Sequence, residues 1–388
     1  MAQYPSWRLR AAHLVLLALL AACAPAAPAA RPTGSSAPPA AASAPTAAPA
    51  ATQFSPALQA IVDGARQEGQ LTLIWGEGTM GGTEGARRIA EGLNRTYGLN
   101  LNVQFTPGPS MANMMTKLTE ETQAGRRAST DVMVGYGVHM AALVQAQGLL
   151  PVDWQSWAVN IRNPELIAAN GAAVTFQTSY SGITYNTQRL TGDNVPRSMQ
   201  DLLKPQYKGR LASTPYGATF DYLATDEVWG EQRTDDYLRR LSDQLAGLIR
   251  CNETERIASG EFDALALDCS QSNALEAKAK GMPVDIVIPS DAVFLIPLYM
   301  AVPKTAAHPN AAKLWIDYAL SREVQDLLAE TDAADSHLVE GSKTAKQLEQ
   351  LRAQGVRFTV ADIDFVLRQD EGEYNRRRAK VQQILLKQ

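Results

Sequence analysis

The sequence predicts an α/β protein built from two α/β units. Strand-like and helix-like periods alternate over residues 71–148, and a second alternating series covers residues 210–288. Such alternation is typical of parallel sheets that are covered by helices. Residues 308–388 follow a mostly helical pattern, so the chain ends in helices rather than in a third sheet.

The first unit consists of three predicted strand–helix pairs. The strands are predicted at residues 71–75, 101–105 and 131–134, where apolar residues run together or alternate with polar ones. Helices are predicted at 83–97, at 111–124 and from the third strand to residue 147. Gly125 and Gly148 stand behind the last two helices, where a left-handed residue is expected.

The second unit follows the same logic with shorter elements. Strands are predicted at residues 210–212, 264–267 and 284–288, and helices near 220–229, at 234–245 and at 273–280. Two extended runs, 182–186 and 298–302, flank this unit. We expect these two runs to be paired crossover strands that join the units.

The N-terminal segment is predicted to direct export. Arg8 and Arg10 precede nine apolar residues at 14–22, a run too short to span a bilayer but typical of a signal peptide. The run ends in Leu20-Ala21-Ala22-Cys23, which resembles the lipobox of bacterial lipoproteins and implies an acylated Cys23 in the lipid bilayer. The alternative is an ordinary secretory signal in which Cys23 is incidental.

The segment behind Cys23 is predicted to be a tether. Of the 28 residues at 24–51, 14 are Ala and 7 are Pro, so the segment has no face to bury. The predicted organisation is a signal peptide at 1–22, lipidated Cys23 with a linker to residue 53, and two lobes. Lobe 1 takes residues 54–181 and 299–330, and lobe 2 takes 182–298. Residues 331–388 form helices that the sequence assigns to neither lobe.

The charge balance excludes some partners. The net charge is −4, and it becomes −6 when residues 1–22, which carry two arginines and no acid, are removed. A nucleic-acid-binding protein needs a basic surface, and so does a protein that binds anionic lipid through its surface. We therefore expect neither kind of binding.

Four segments resemble one protein family and occur in its order. They are residues 182–187 (GITYNT), 201–210 (DLLKPQYKGR), 279–289 and 308–318 (HPNAAKLWIDY), followed by Leu320, Ser321 and Gln325. Together with the lipobox they resemble the type 2 periplasmic solute-binding proteins of ABC importers, in the iron(III)-type branch. The resemblance implies a two-lobed, extracytoplasmic receptor with a ligand cleft between lobes joined by two crossover strands. It also implies an ABC permease as partner, no catalysis and a monomer.

The candidate ligand-binding residues lie in loops that follow the predicted strands. In open α/β sheets, ligands bind outside the carboxyl ends of the strands, where helix N-termini offer backbone N–H groups. The candidates are Glu77, Gly78, Thr79, Tyr136, Tyr180, Tyr216, Thr219, Asp221, Asp268, Ser270 and Tyr299. For Thr79, Thr219 and Ser270 the alternative is simple helix capping.

The charges in these loops favour some ligands over others. The acids are Glu77, Asp221, Asp268 and Asp291, and the loops contain no Lys or Arg. An oxyanion-binding site usually presents Arg. The sequence therefore favours a cation, a metal or a polyhydroxy solute, with helix capping as the alternative role of these acids.

An iron site would use His139, Tyr136, Tyr216 and Asp221, because Fe(III) is a hard cation. Iron-binding members of the resembled branch carry an adjacent tyrosine pair in the second lobe. This chain has residues 268–271 (DCSQ) there, and it has no adjacent tyrosines anywhere. The sequence therefore leaves a bound metal open, and tyrosines in a cleft would also suit an organic ligand.

Two cysteines and one glycine-rich loop remain. Cys251 and Cys269 either form a disulfide, which export permits, or stay as two buried thiols. Residues 76–81 match the dinucleotide fingerprint, but the acid expected after the second strand is missing, so we expect no cofactor. The alternatives to a receptor of an importer are an exported α/β enzyme and a sensory receptor.

Overall fold

The computed structural model describes residues 54–217 and 219–387 of the 388-residue chain. These residues belong to one compact unit, which spans residues 53–388. The predicted signal peptide, Cys23 and the linker lie outside the described residues. Within the described part, every helix is too short or too polar to cross a bilayer.

The described residues form helices and strands that alternate through both predicted units. The helices are α1 Pro56–Glu68, α2 Gly82–Tyr97, α3 Met111–Gln123, α4 Gly137–Gln145, α5 Phe220–Leu223, α6 Glu231–Ser242, α7 Thr254–Ala258, α8 Gln271–Ala279, α9 Pro309–Ala319, α10 Arg322–Thr331, α11 Lys343–Ala353, α12 Ile363–Leu367 and α13 Glu371–Leu386. The strands are β1 Gln70–Trp75, β2 Asn102–Pro107, β3 Met133–Tyr136, β4 Ile167–Ala168, β5 Ala173–Tyr180, β6 Gly182–Asn186, β7 Leu211–Ser213, β8 Leu245–Leu248, β9 Ala264–Asp268, β10 Val284–Val287, β11 Phe294–Ala301 and β12 Thr359–Val360.

Lobe 1 is built on strands β1 to β5, β11 and β12. Strands β1 and β2 pair in parallel, and a parallel bridge links Leu73 of β1 to Val132, next to β3. The other sheet has the order β12-β11-β5-β4, with β3 also paired to β11. Strand β11 runs antiparallel to both β3 and β5. The predicted strands at residues 71–75, 101–105 and 131–134 are therefore parallel where they pair with one another, and antiparallel pairs arise where β11, which returns from the other lobe, pairs with β3 and β5.

Lobe 2 is built on strands β6 to β10. Its sheet has the order β10-β6-β9-β7-β8, in which β7 is parallel to β8 and β9 while β6 is antiparallel to both neighbours. The central strand β9 is completely buried along its length. Helices α6 and α8 cover this sheet, so the second predicted α/β unit is present as a separate sheet.

The crossover between the lobes differs from the predicted one. Residues 182–186 form β6 inside lobe 2, and residues 298–301 pair with β3 and β5, so the two runs do not pair with each other. The strands that pair at the lobe boundary are β5 and β11, with Tyr180 opposite Leu295. Alternation along a strand shows which face is buried, but it does not identify the neighbouring strand.

Local sequence signals explain most helix ends. Ser55, Ser270, Ser321 and Ser342 each accept a backbone N–H at the start of α1, α8, α10 and α11. Helix α4 ends differently from the prediction, since Gln147 rather than Gly148 adopts the left-handed conformation (φ 53°).

Helix α5 is shorter than the predicted helix at 220–229. It ends at Leu223, and the hydroxyl of Thr225 donates to the carbonyl of Tyr222 at 2.8 Å. Side chains of this type offer the backbone an alternative to the next helical hydrogen bond. The chain therefore turns after one helical turn, although its apolar spacing suits a longer helix.

Each lobe has its own apolar core. In lobe 1, Trp315 on α9 is fully buried and its ring lies 6.0 Å from that of Trp75 on β1. In lobe 2, Phe220, Leu238 and other apolar residues of α5 and α6 pack on the sheet. The two lobes are therefore packed around separate cores.

The C-terminal helices divide between the lobes. Helix α12 packs on α4, and its Ile363 lies in a core cluster of lobe 1. Helix α13 packs on α5 and α6, and its Leu385 is buried in the core of lobe 2. Lys380 of α13 also contacts Glu231 of α6 at 2.7 Å. The C-terminal segment therefore connects the two lobes a second time.

Candidate functional site

The loops that follow β1, β3, β7 and β9 come together where the two lobes meet. Three hydrogen bonds mark this meeting. The backbone N–H of Tyr180 donates to Gln271 at 2.8 Å, and the hydroxyl of Thr219 lies 3.1 Å from that of Ser181. The hydroxyl of Ser272, on α8 of lobe 2, donates to the carbonyl of Asp332 at 2.6 Å. We call this region the cleft.

The loop after β1 shapes the N-terminus of α2. Glu77 is exposed, and its carboxylate accepts the backbone N–H and the hydroxyl of Thr83 at 2.9 and 3.0 Å. Gly82 has a φ of +60°, and a Cβ there would lie 2.5 Å from the carbonyl oxygen of Glu77. Gly78 is exposed, and the carbonyl of Thr79 accepts the indole N–H of Trp75. Glu77 is therefore a helix-capping residue in this structure.

The N–H groups at the start of α2 are bound by a residue that the sequence analysis missed. The carboxylate of Asp332 accepts the N–H of Met80 at 2.6 Å and that of Gly81 at 2.9 Å. Gln177 and Thr331 also donate to this carboxylate, at 3.1 and 2.8 Å. Asp332 follows α10 and has no strand before it, so a search for loops at the ends of strands does not find it.

Tyr136 and His139 form one local arrangement after β3. The Nδ1 atom of His139 accepts the N–H of Tyr136 at 3.1 Å. Burial lowers the pKa of His139, which keeps its imidazole neutral. Because Nδ1 accepts, the remaining proton is on Nε2. The pKa of Tyr136 is raised by burial, and a hydrogen bond to Ser179 opposes this. This pair therefore places a phenol and an imidazole side by side at the end of β3.

Asp268 ends strand β9 and is fully buried. The hydroxyl of Thr184 donates to it at 2.6 Å, and the N–H groups of Cys269 and Ser270 also bind it. Burial raises its pKa to about 6 in spite of these bonds. Ser270 accepts the N–H of Ser272 at 3.2 Å and so caps α8. The N–H groups before α8 are therefore also bound by the chain's own oxygens.

Cys251 and Cys269 are joined in a disulfide, with their Cα atoms 5.8 Å apart. The hydroxyl of Tyr216 accepts the N–H of Cys251 at 3.1 Å, so this tyrosine lies beside the bridge. The bridge links the turn after β8 to the turn after β9. It therefore holds the lobe 2 side of the cleft in place.

Asp221, another acid of the predicted loops, is hydrogen-bonded by a residue of the C-terminal helix α13. The phenol of Tyr374 on α13 donates to its carboxylate at 3.2 Å, and the N–H of Tyr222 donates at 3.0 Å. Burial raises the pKa of Asp221, while the charge of Arg378 lowers it. The fourth acid, Asp291, accepts backbone N–H groups of residues 199 and 200. All four acids of the predicted loops therefore have partners within the protein.

The remaining tyrosines occupy two different places. Tyr299 is 1 % exposed and lies in the core of lobe 1, where burial raises its pKa. Tyr180 lines a cavity of about 670 Å³ between α8, α10 and α11. This cavity includes Ala333, so it opens beside the cleft. A recess of about 910 Å³ elsewhere on lobe 1 includes none of the predicted site residues.

His, Cys, Asp and Glu side chains of the described residues gather closely enough to hold a metal at one place. Among residues 54–217 and 219–387, the only group of three or more His, Cys, Asp and Glu side chains close enough to hold a metal is Cys251, Asp268 and Cys269. The two sulfur atoms of this group form the disulfide. The iron set of His139, Tyr136, Tyr216 and Asp221 stays a prediction, and within it the hydroxyl of Tyr216 accepts a backbone N–H.

Comparison with known proteins identifies similar sequences and folds. The family model of bacterial extracellular solute-binding proteins matches residues 128–366. An uncharacterized protein of Haemophilus influenzae is 29 % identical over 157 residues, which are 38 % of this chain and 44 % of that protein. An Fe(3+)-binding periplasmic protein of Serratia marcescens is 24 % identical over 154 residues, 39 % of this chain and 43 % of that protein. Each match thus spans less than half of the relative.

The fold is similar to that of a crystal structure described as the substrate-binding protein of an ABC transporter from Agrobacterium tumefaciens. The TM-score is 0.65 at 17 % identity, and the alignment covers 83 % of this chain and 96 % of the other. At this identity the likeness concerns the fold, which is that of the two-lobed periplasmic binding proteins.

The disulfide is expected to stabilise lobe 2. A bridge across 18 residues restricts the unfolded chain and contributes roughly 3 kcal/mol. Reduction with dithiothreitol should therefore lower the melting temperature of the wild-type protein. The double variant Cys251→Ser/Cys269→Ser should melt at the lower temperature with or without reductant. Equal melting of oxidised and reduced wild-type protein would contradict this expectation.

Asp268 is expected to make stability depend on pH. Its folded-state pKa of about 6 exceeds the ordinary 3.8, so the folded state holds a proton that the unfolded state has lost between these values. The free energy of unfolding should fall as pH rises from about 4 to about 6, by on the order of 3 kcal/mol, and then level off. Urea unfolding of Asp268→Asn should lack this decline. Parallel pH curves for the two proteins would exclude the effect.

Proposed function

Because the chain belongs to the family of bacterial extracellular solute-binding proteins, we propose that it is the receptor of an ABC importer. The observation that carries the proposal is the cleft itself. Two α/β lobes with separate cores meet at loops whose hydroxyls and amides come from both lobes, and the paired strands β5 and β11 connect them. Ligand sites at such strand ends are a general property of open α/β sheets.

The proposed mechanism is capture by hinge bending. Lobe 2 would rotate about the connection at residues 180–182 and 288–294, and a solute in the cleft would favour the closed arrangement. A ligand shifts this equilibrium only as far as it binds the closed form more tightly than the open form. The residues here bind and orient a solute, and no covalent step is part of the proposal.

The proposed partners follow from the same role. The closed receptor would dock on a membrane permease and release its solute there. We also propose that Cys23 is acylated and anchors the protein outside the cytoplasm, with residues 24–53 as a tether. The sequence at residues 20–23 and the Ala/Pro-rich composition support this.

Ferric iron is a second candidate solute. The curated relative from Serratia marcescens is named as an Fe(3+)-binding protein, and Tyr136 lies close to the cleft. The internal partners of Tyr216 and Asp221 weigh against it, because both groups would have to exchange hydrogen bonds for a metal. We therefore place an organic polar solute or an organic cation before iron.

A ligand panel tests the receptor proposal. Fe(III), polyamines, sugars, amino acids and oxyanions are added to the mature protein, and melting is followed by differential scanning fluorimetry. We expect one class to raise the melting temperature, since a ligand that binds only the folded state stabilises it. Small-angle scattering with that ligand should show a smaller radius of gyration. A visible tyrosinate band with Fe(III) would instead select iron.

The variant Ser272→Ala tests the cleft, and Ser259→Ala is its matched control. It removes a hydrogen bond between the lobes and should weaken binding of the selected solute about tenfold. Ser259→Ala removes a hydroxyl that bonds only to Arg256 on the surface of lobe 2, and it should leave binding unchanged. If no solute binds, or if labelled solute is converted to product, the receptor proposal fails.

The anchor is tested separately. Cells producing the wild-type chain are labelled with an alkyne fatty acid and then fractionated. We expect label in the protein and recovery with membranes, because two or three acyl chains hold a protein stably to a bilayer. Cys23→Ser should lose the label and leave the membrane fraction. Equal labelling of both chains would show that Cys23 is not the acylated residue.

A further inference from the structure

We propose that Asp332 is a resident anion of the cleft and excludes oxyanions from it, so that the solute is a cation or an uncharged polar molecule. This inference rests on the proposed receptor function and narrows its ligand class. It begins from the carboxylate of Asp332, which binds two backbone N–H groups at the start of α2. A helix N-terminus attracts anions because its first N–H groups are free and its dipole is positive there.

Each carboxylate oxygen of Asp332 already accepts two hydrogen bonds from within the protein. Oxygen Oδ2 accepts Met80 and Gln177, and oxygen Oδ1 accepts Gly81 and Thr331, at 2.6 to 3.1 Å. The side chain of Asp332 is also buried. An external phosphate or sulfate would have to displace it from four donors.

The position of Asp332 is between the lobes. Its side chain binds lobe 1, while its carbonyl accepts the hydroxyl of Ser272 on α8 of lobe 2. The next carbonyl, of Ala333, accepts the amide of Gln271 at 3.3 Å. Ala333 has a φ of +49°, a left-handed conformation that is uncommon for alanine. The loop is therefore held against both lobes at the cost of local backbone strain.

The lobe 2 side of the cleft repeats the arrangement. Asp268 binds the N–H groups of Cys269 and Ser270, directly before α8. Ser270 then binds the N–H of Ser272 with its hydroxyl. Helices α2 and α8 thus both have N-terminal donors bound by side chains of the chain itself. An oxyanion would meet carboxylates at both places.

The preference for cationic or uncharged solutes over oxyanions follows from electrostatics in a partly buried site. Charges separated by a few ångströms interact more strongly there than in water. A carboxylate or phosphate ligand would be repelled, and at α2 and α8 it would find N-terminal donors that are already bound. An ammonium group or a set of hydroxyls would not meet this repulsion.

The test is whether removing the resident carboxylate creates an oxyanion site. Inorganic sulfate is titrated into Asp332→Ala by isothermal calorimetry at constant ionic strength. We expect sulfate to bind this variant at least about tenfold more tightly than the wild type, because the N–H groups of Met80 and Gly81 become free. A second variant, Asp332→Ser, also removes the carboxylate that binds these N–H groups but keeps a small polar side chain at the position, and it should gain sulfate binding as well.

The matched control is Asp317→Ala. Asp317 is also buried and also has four hydrogen bonds, from Tyr97, from Asn160 twice and from Ile161, but it lies inside lobe 1. This variant should lose stability without gaining sulfate binding.

Sulfate binding by the wild type as tight as by Asp332→Ala, or an equal gain in Asp317→Ala, would overturn the proposal. A failure of both Asp332 variants to bind sulfate would also overturn it. Sulfate is the probe whatever the natural solute is, so this result does not depend on the ligand panel. If no solute of the panel binds but Asp332→Ala gains sulfate binding, the receptor proposal is rejected and the proposed role of Asp332 stands.

Discussion

The antiparallel pairing of β5 with β11 is the connection on which the architecture depends. The chain leaves lobe 1 at Tyr180 and comes back into it at Phe294, and both crossings belong to one ladder in which Tyr180 faces Leu295. This ladder and the C-terminal passage from α12 to α13 connect the two lobes, while each lobe keeps its own core. The ladder also fixes which loops face each other, because the strands of each lobe end at this boundary. The cleft is therefore a consequence of where the ladder runs.

A second constraint is that the backbone N–H groups at the lobe boundary need hydrogen-bond acceptors. Unpaired N–H groups in a partly buried place cost free energy comparable to a lost hydrogen bond. The chain meets this cost with its own acceptors: Asp332 at α2, Asp268 and Ser270 at α8, and Nδ1 of His139 at α4. These donors are therefore bound within the protein itself.

The sequence predicted the element types well and their partners poorly. The strands at 71–75 and 264–267 and the helices at 111–124 and 273–280 are present within one to three residues, because periodicity and capping depend on neighbours a few positions away. The pairing of residues 182–186 with 298–302 was wrong, because alternation is the same whichever strand lies alongside. Of the candidate residues, Tyr299 lies in the core and Glu77 caps a helix, while Tyr136, Thr219, Asp268 and Ser270 do lie where the lobes meet.

By itself, the sequence determined the α/β class, the division into two units and the polar loops behind the strands, and it predicts an export signal at residues 1–22. Those properties follow from composition and from interactions over a few positions. Only the tertiary structure decided which carboxylate binds the backbone N–H groups before α2 at the cleft. Asp332 is 252 positions from Met80, to which it binds, and its local sequence at the end of α10 resembles an ordinary helix terminus. No periodic pattern records such a contact, because it depends on how the whole chain returns to lobe 1.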